Sequence, residues 1–152
     1  AFNIWPGNYR NFLYQIDPNE TSQGYWRVGS KSQPYGRFAR GFNHAERKDT
    51  LFFDIDDDFF STDKLSNREV SVRVVYYDEG EGNWALKYHA YGDTEKTAFI
   101  VRKTNSGEWK EKNINISDGI FLNGCEKNAD LMLVNTDDHD DIFHMVEINL
   151  TE

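Results

Sequence analysis

Between Glu69 and Tyr77 the chain alternates with a period of two: Val70, Val72, Val74 and Tyr76 share one face of an extended backbone, and Ser71, Arg73 and Tyr77 share the other. That spacing suits a strand with one buried face, whereas an amphipathic helix needs apolar residues every three or four positions, a pattern this sequence lacks. Asp78-Glu79-Gly80-Glu81-Gly82-Asn83 then supplies turn chemistry, with two glycines free to take positive φ. Alternation resumes at Trp84, Leu86 and Tyr88, so the two runs read as a hairpin.

Comparable runs predict strands at Thr50 to Ile55, Thr97 to Arg102, Trp109 to Ile116, Asp130 to Asn135 and Ile142 to Leu150, with shorter ones at Phe12 to Ile16 and Tyr25 to Val28. Ser117 to Asn123 and Asn8 to Leu13 have room for a helical turn. About eight short strands separated by turns predict an all-β chain, a two-sheet antiparallel β-sandwich of jelly-roll type with minor helical turns only; a barrel satisfies the same pattern. No repeat or linker divides the sequence, so residues 1–152 read as a single domain, with 1–33 carrying the weakest pattern. A chain of this length can bury enough surface to fold without a disulfide, and Cys125 is its one cysteine.

Lysine and arginine total 17 against 26 aspartates and glutamates, a formal net charge of −9. General binders of the nucleic-acid backbone concentrate positive charge, so nucleic acid is excluded as a partner class. No run approaches the ~20 apolar residues of a membrane helix, so no membrane partner is expected. An aromatic content of 15% excludes disorder. The chain opens on Ala1 with no signal segment, and it reads as a processed protein or an excised module.

Asp54-Ile55-Asp56-Asp57-Asp58 admits two readings: a Ca2+ site using Asp54, Asp56 and Asp58, or an acidic, turn-forming strand end. The glycine and closing glutamate of an EF-hand are missing. Asp137-Asp138-His139-Asp140-Asp141 reads as a hairpin loop, with a metal held through His139 as the other reading. Glu79 and Glu81 pair in one turn, but acid pairs arise without purpose in so acidic a chain. No nucleophile elbow or phosphate loop is present, and Cys125 has no nucleophile signature around it.

Aromatics and arginines are more informative. Trp26, Tyr35, Trp84, Tyr88 and Tyr91 lie among polar neighbours, and Arg37, Arg40, Arg47 and Lys48 form a cationic cluster. Sugars make both demands, because their C–H faces stack on aromatic rings while their hydroxyls need fixed donors and acceptors. The candidate ligand-binding residues are therefore Trp26, Tyr35, Arg37, Arg40, Trp84, Tyr88 and His89. Trp84 and Tyr88, on one strand face, serve equally as core or as platform. Trp109 is assigned to the core, with Phe52, Phe53, Phe99, Phe121 and Phe143 in it or at its edge.

Several segments occur in a telling order: Gly36 to Arg40, Leu51 to Asp57, Val72 to Gly80, Trp84 to Tyr88, Thr104 to Lys110 and Ile142 to Ile148. Over residues 35–150 this order resembles a carbohydrate-binding module of the β-sandwich type appended to bacterial secreted glycoside hydrolases. The resemblance implies a noncatalytic domain, secreted or at the cell surface, that holds a covalently linked hydrolase or lyase on a neutral or anionic polysaccharide. It also implies a structural calcium, and it marks Arg37, Arg40, Asp54, Asp56 and Asp57. Two other readings stand beside it: a small jelly-roll hydrolase or lyase using Glu79, Glu81 or His89, and a structural β-sandwich without a ligand. Converging arginines would admit an anionic glycan; arginines paired with the Asp54 to Asp58 run would indicate a neutral one.

Overall fold

A computed structural model of the chain describes residues 2–3, 13–56 and 68–150. Its strands are β1 (Phe2–Asn3), β2 (Leu13–Gln15), β3 (Gln23–Val28), β4 (Arg37–Gly41), β5 (Thr50–Ile55), β6 (Arg68–Asp78), β7 (Asn83–Ala90), β8 (Asp93–Arg102), β9 (Glu108–Gly119), β10 (Leu131–Asn135) and β11 (Ile142–Leu150). A single-turn helix α1 (Pro18–Thr21) joins β2 to β3.

All the pairings are antiparallel. One layer runs β2-β5-β10-β7-β8, and the other runs β3-β4-β11-β6-β9. The layers are continuous through one bridge, Ala90 to Gly119, so the sandwich is a single curled sheet folded onto itself. β1 also pairs with β11, beyond the stretch that β4 occupies.

The alternating segments become strands because each has one face to bury. Val70, Val72, Val74 and Tyr76 of β6 meet Trp84, Leu86 and Tyr88 of β7 in one core that also takes Leu51, Phe53, Leu131, Leu133, Phe143 and Val146. Trp84 is fully buried, with its ring centroid 5.2 Å from that of Tyr76 and 4.9 Å from that of Phe143, both edge-to-face. Burying a large apolar side chain contributes about 2 kcal/mol, so this seam between the layers is a main source of stability. A smaller cluster of Phe52, Cys125, Ala129 and Met132 lies apart from it. Burial pushes the Cys125 thiol up to about 12, which makes it a packed and inert group.

One sequence expectation about the fold is corrected. Ser117 to Gly119 continues β9 and the chain beyond is a loop, so no helical turn forms at Ser117 to Asn123. Of the other expected turn, Leu13 opens β2 and Asn8 to Phe12 lie outside the described residues. β4 is a strand that alternation does not announce, since Arg37-Phe38-Ala39-Arg40-Gly41 carries two charges and two small residues.

Candidate functional site

Four expected ligand residues are interior. Trp84 belongs to the core, and Tyr88 beside it offers no open face; its hydroxyl donates to Asp118 at 2.5 Å. Burial and then Asp118 hold that phenol well above its usual range. His89 is buried and its Nδ1 accepts from the backbone N–H of Leu122 (3.0 Å) and Gly124 (3.1 Å), which folds the loop after β9 over the ring. Burial lowers its pKa, in keeping with that acceptor role. Arg40, 4% exposed, donates to the Pro18 carbonyl (2.9 Å), Ser22 Oγ (3.1 Å) and Asn19 Oδ1 (2.6 Å). It ties α1 to β4. The reason is common to all four: each points into space that another part of the chain covers, the second layer for Trp84 and Tyr88, the loop after β9 for His89 and α1 for Arg40, and the sequence pattern of one strand does not reveal that cover.

The acidic residues also find partners. Asp54 meets the buried Asp130, and the Asn123 amide, with its nitrogen toward them, donates to Asp54 Oδ1 (2.9 Å) and Asp130 Oδ2 (3.2 Å). Asp130 also accepts from the backbone N–H of Ile55 (2.9 Å) and Asn123 (2.8 Å). A hard cation near Asp54 would draw on these two carboxylates in place of the Asn123 amide. Asp58 lies outside the described residues. In the other acidic run, Asp137, Asp138 and His139 cluster at the surface, where Asp137 accepts from the backbone N–H of Asn83 (2.8 Å) and His139 (3.0 Å) as a turn-forming residue does.

Trp26, Tyr35 and Arg37 lie elsewhere, around a groove on the outward face of the β3-β4-β11-β6-β9 layer. Two bulges build it. Between Tyr25 and Val28, β3 spends one residue more than β4, and this irregular stretch presents Trp26 and Arg27. Between Phe143 and Met145, β11 does the same against β6; Phe143 stays in the core while His144 and Met145 line the groove. The β3–β4 loop carries Tyr35 and turns at Gly36, whose φ of +78° and close approach to the Val28 and Gly29 backbone leave no room for a Cβ. This loop is anchored by Ser32, which donates to the Glu108 carboxylate from its backbone N–H (3.0 Å) and its Oγ (2.5 Å).

The groove consists of two adjoining hollows. One, of about 510 Å³, is lined by Arg27, Tyr35, Gly36, Arg37, Phe38 and His144. The other, of about 500 Å³, is lined by Arg37, Arg73, Val75, Trp109, Lys110, Glu111, His144 and Met145. Arg37 and His144 stand where they meet. Tyr35 is 84% exposed, and Trp26, 69% exposed, makes an edge contact with Phe38 at 4.9 Å.

Arg37 is held in place by Gln33 Oε1, to which it donates at 2.9 Å, and by the Trp109 ring, whose centroid is 5.4 Å from its guanidinium carbon. Trp109 is not a core residue: it is half-buried on the outward face, donates its indole N–H to Val28 O (3.2 Å) and packs beside Tyr77 (5.2 Å) and His144 (5.9 Å). His144 Nδ1 donates to the Phe38 carbonyl at 2.7 Å, which leaves Nε2 as an acceptor in the neutral ring. Burial, together with the nearby Arg37 charge, lowers the His144 pKa and favours that neutral form. The groove thus combines apolar rings, arginine donors and a histidine acceptor. Arg27, Trp109 and His144 escaped the sequence reading because they come from three strands that only the register assembles.

No protein-family model and no curated protein matches the chain. Among solved structures, the chain is similar to carbohydrate-binding modules. CBM35 from Paenibacillus barcinonensis is 13% identical, with 91% of this chain and 98% of that one covered at a TM-score of 0.47. The C-terminal CBM6 of a marine laminarinase from Zobellia galactanivorans is 11% identical, with 90% and 98% covered at 0.43. The module CBM6cm-2 of lichenase 5A from Cellvibrio mixtus, solved in complex with cellotriose, is 11% identical, with 93% and 99% covered at 0.43.

Proposed function

We propose that this chain is a noncatalytic carbohydrate-binding module that holds a linked hydrolase or lyase on a polysaccharide, outside the cell or at its surface. The observation that carries the reading is the exposed aromatic rim, Tyr35, Trp26 and Phe38, beside a groove with fixed arginine and histidine groups. Large rings left in water this way are poor for stability and suited to sugar C–H faces. Tyr35 and Phe38 stack on a ring, Arg27 and Arg37 donate to its oxygens, and His144 Nε2 accepts from a hydroxyl.

Binding rather than bond cleavage fits the acid–base content. A glycosidase needs two carboxylates facing each other across the scissile bond. Among the described lining residues of the groove, Glu111 is the one carboxylate, and Arg73 holds it at 2.9 Å. His89, a candidate for chemistry in the enzyme reading, is committed to the loop above it. A shallow site of this kind supports Kd values on the order of micromolar to millimolar, and linkage to an enzyme converts modest affinity into high local concentration.

Affinity electrophoresis against a polysaccharide panel, with isothermal titration of any ligand found, tests the reading. Tyr35→Ala and Trp26→Ala are each expected to weaken binding about tenfold with the melting temperature unchanged, since the first removes a stacking ring and the second the ring that packs edge-on against Phe38. Retardation by no glycan, or undiminished binding by both variants, would refute it.

A further inference from the structure

The two hollows differ in charge. Several cations near this face are matched by acids: Arg73 bridges Glu111 (2.9 Å) and Glu147 (3.3 Å), Lys110 meets Asp78 (3.1 Å) and Lys103 meets Asp141 (2.6 Å). Arg27 and Arg37 form no ion pair among the described residues, although the chain has 26 acids to 17 bases. Both line the Tyr35 hollow, whose described lining residues include no carboxylate. The Trp109 hollow is different, because Arg73 is outnumbered by its two glutamates and Lys110 is matched by Asp78. One end of the groove is therefore cationic and the other close to neutral.

Resting on the sugar-binding reading of this groove, we infer that its ligand is an anionic glycan, whose carboxylate or sulfate ester lies between Arg27 and Arg37 while the adjoining, uncharged sugar lies over the Trp109 hollow. Planar guanidinium groups match the oxygens of either anion, and a partly buried arginine such as Arg37, with no acid beside it among the described residues, holds such a group more strongly than a hydroxyl. Glu111 and Glu147 disfavour a second anion at the Trp109 end, so the groove selects glycans in which charged and neutral residues alternate over those charged at every residue. The acidic surface beyond the groove repels polyanions in general and narrows binding to ligands that reach this end.

Matched polysaccharide pairs test this with the whole chain: desulfated against native carrageenan, and methyl-esterified against free polygalacturonate, each at low and high salt. The charged member of at least one pair is expected to bind about tenfold more tightly at ~50 mM NaCl, with most of that preference lost at ~0.5 M; the two pairs distinguish sulfate from carboxylate. The double variant Arg27→Gln, Arg37→Gln is expected to abolish the preference with the melting temperature unchanged, and Glu111→Gln to tighten free polygalacturonate about threefold. Equal binding of charged and neutral members overturns the inference and leaves the sugar-binding reading intact. Binding to no glycan overturns that reading itself. Retention of a DNA fragment as strong as that of carrageenan marks a general polyanion surface and also overturns the inference.

Discussion

Trp84 and Trp26 both stand beside a polar residue within a strand, yet Trp84 is fully buried and Trp26 is 69% exposed. Their difference is set by what lies across from them: the other layer of the sandwich covers Trp84, and a bulge in an edge strand turns Trp26 outward. Trp84→Ala is expected to cost about 4 kcal/mol, by loss of buried area and the cavity left behind, read as a lower melting temperature or failure to fold. Arg40→Ala belongs to the same class, because it strips three hydrogen-bond partners around α1, and a loss of about 3 kcal/mol is expected in denaturant titration. Aromatic and arginine content drew attention to both kinds of residue in the sequence, but it could not sort them. Burial depends on partners such as Phe143 and Pro18, which lie far away along the chain.

At the scale of elements, strands with one apolar face were legible and irregular ones were not. β6 follows alternation almost to the residue and β11 does so beyond its bulge, whereas β4 is short, charged and contains small residues, so its partners and not its own pattern make it a strand. Loop anchors were equally invisible. Asp78, at the end of β6, is fully buried and accepts from Thr104 N–H (2.7 Å), Thr104 Oγ1 (2.7 Å) and Ser106 N–H (3.0 Å), which fixes the connection between β8 and β9. Burial works against its charge, but the Ser106 and Thr104 hydrogen bonds outweigh it and hold the carboxyl far below its usual range. A depressed native pKa means that the stabilisation is complete above the unfolded value of ~4 and is lost as pH falls through the native one. Thermal melts should therefore be flat in this contribution between neutral pH and about pH 5 and decline in stronger acid. Asp78→Asn should be less stable by about 3 kcal/mol at neutral pH and decline less in acid; a variant with the wild-type acid profile would show that Asp78 is not the responsible group.

Across the whole molecule, a net charge of −9 and a groove end with two arginines that form no ion pair among the described residues coexist because the fold distributes charge unevenly. Alternation made the all-β class plain, and composition the aromatic excess. Placement of the site was out of reach, since Arg27, Arg37, Trp109 and His144 become neighbours only after β3, β4, β9 and β11 assume their register. The four tryptophans, Trp5, Trp26, Trp84 and Trp109, provide a direct reporter, because each indole N–H gives its own resonance in a proton–nitrogen correlation spectrum. The chain would be titrated with oligosaccharides of carrageenan and of polygalacturonate. If the ligand lies in the groove, the Trp26 and Trp109 indole signals shift on binding while that of Trp84 stays fixed. Saturable binding that leaves the Trp26 and Trp109 signals in place, or that moves Trp84 as much as either, would contradict the assignment of the groove as the sugar site.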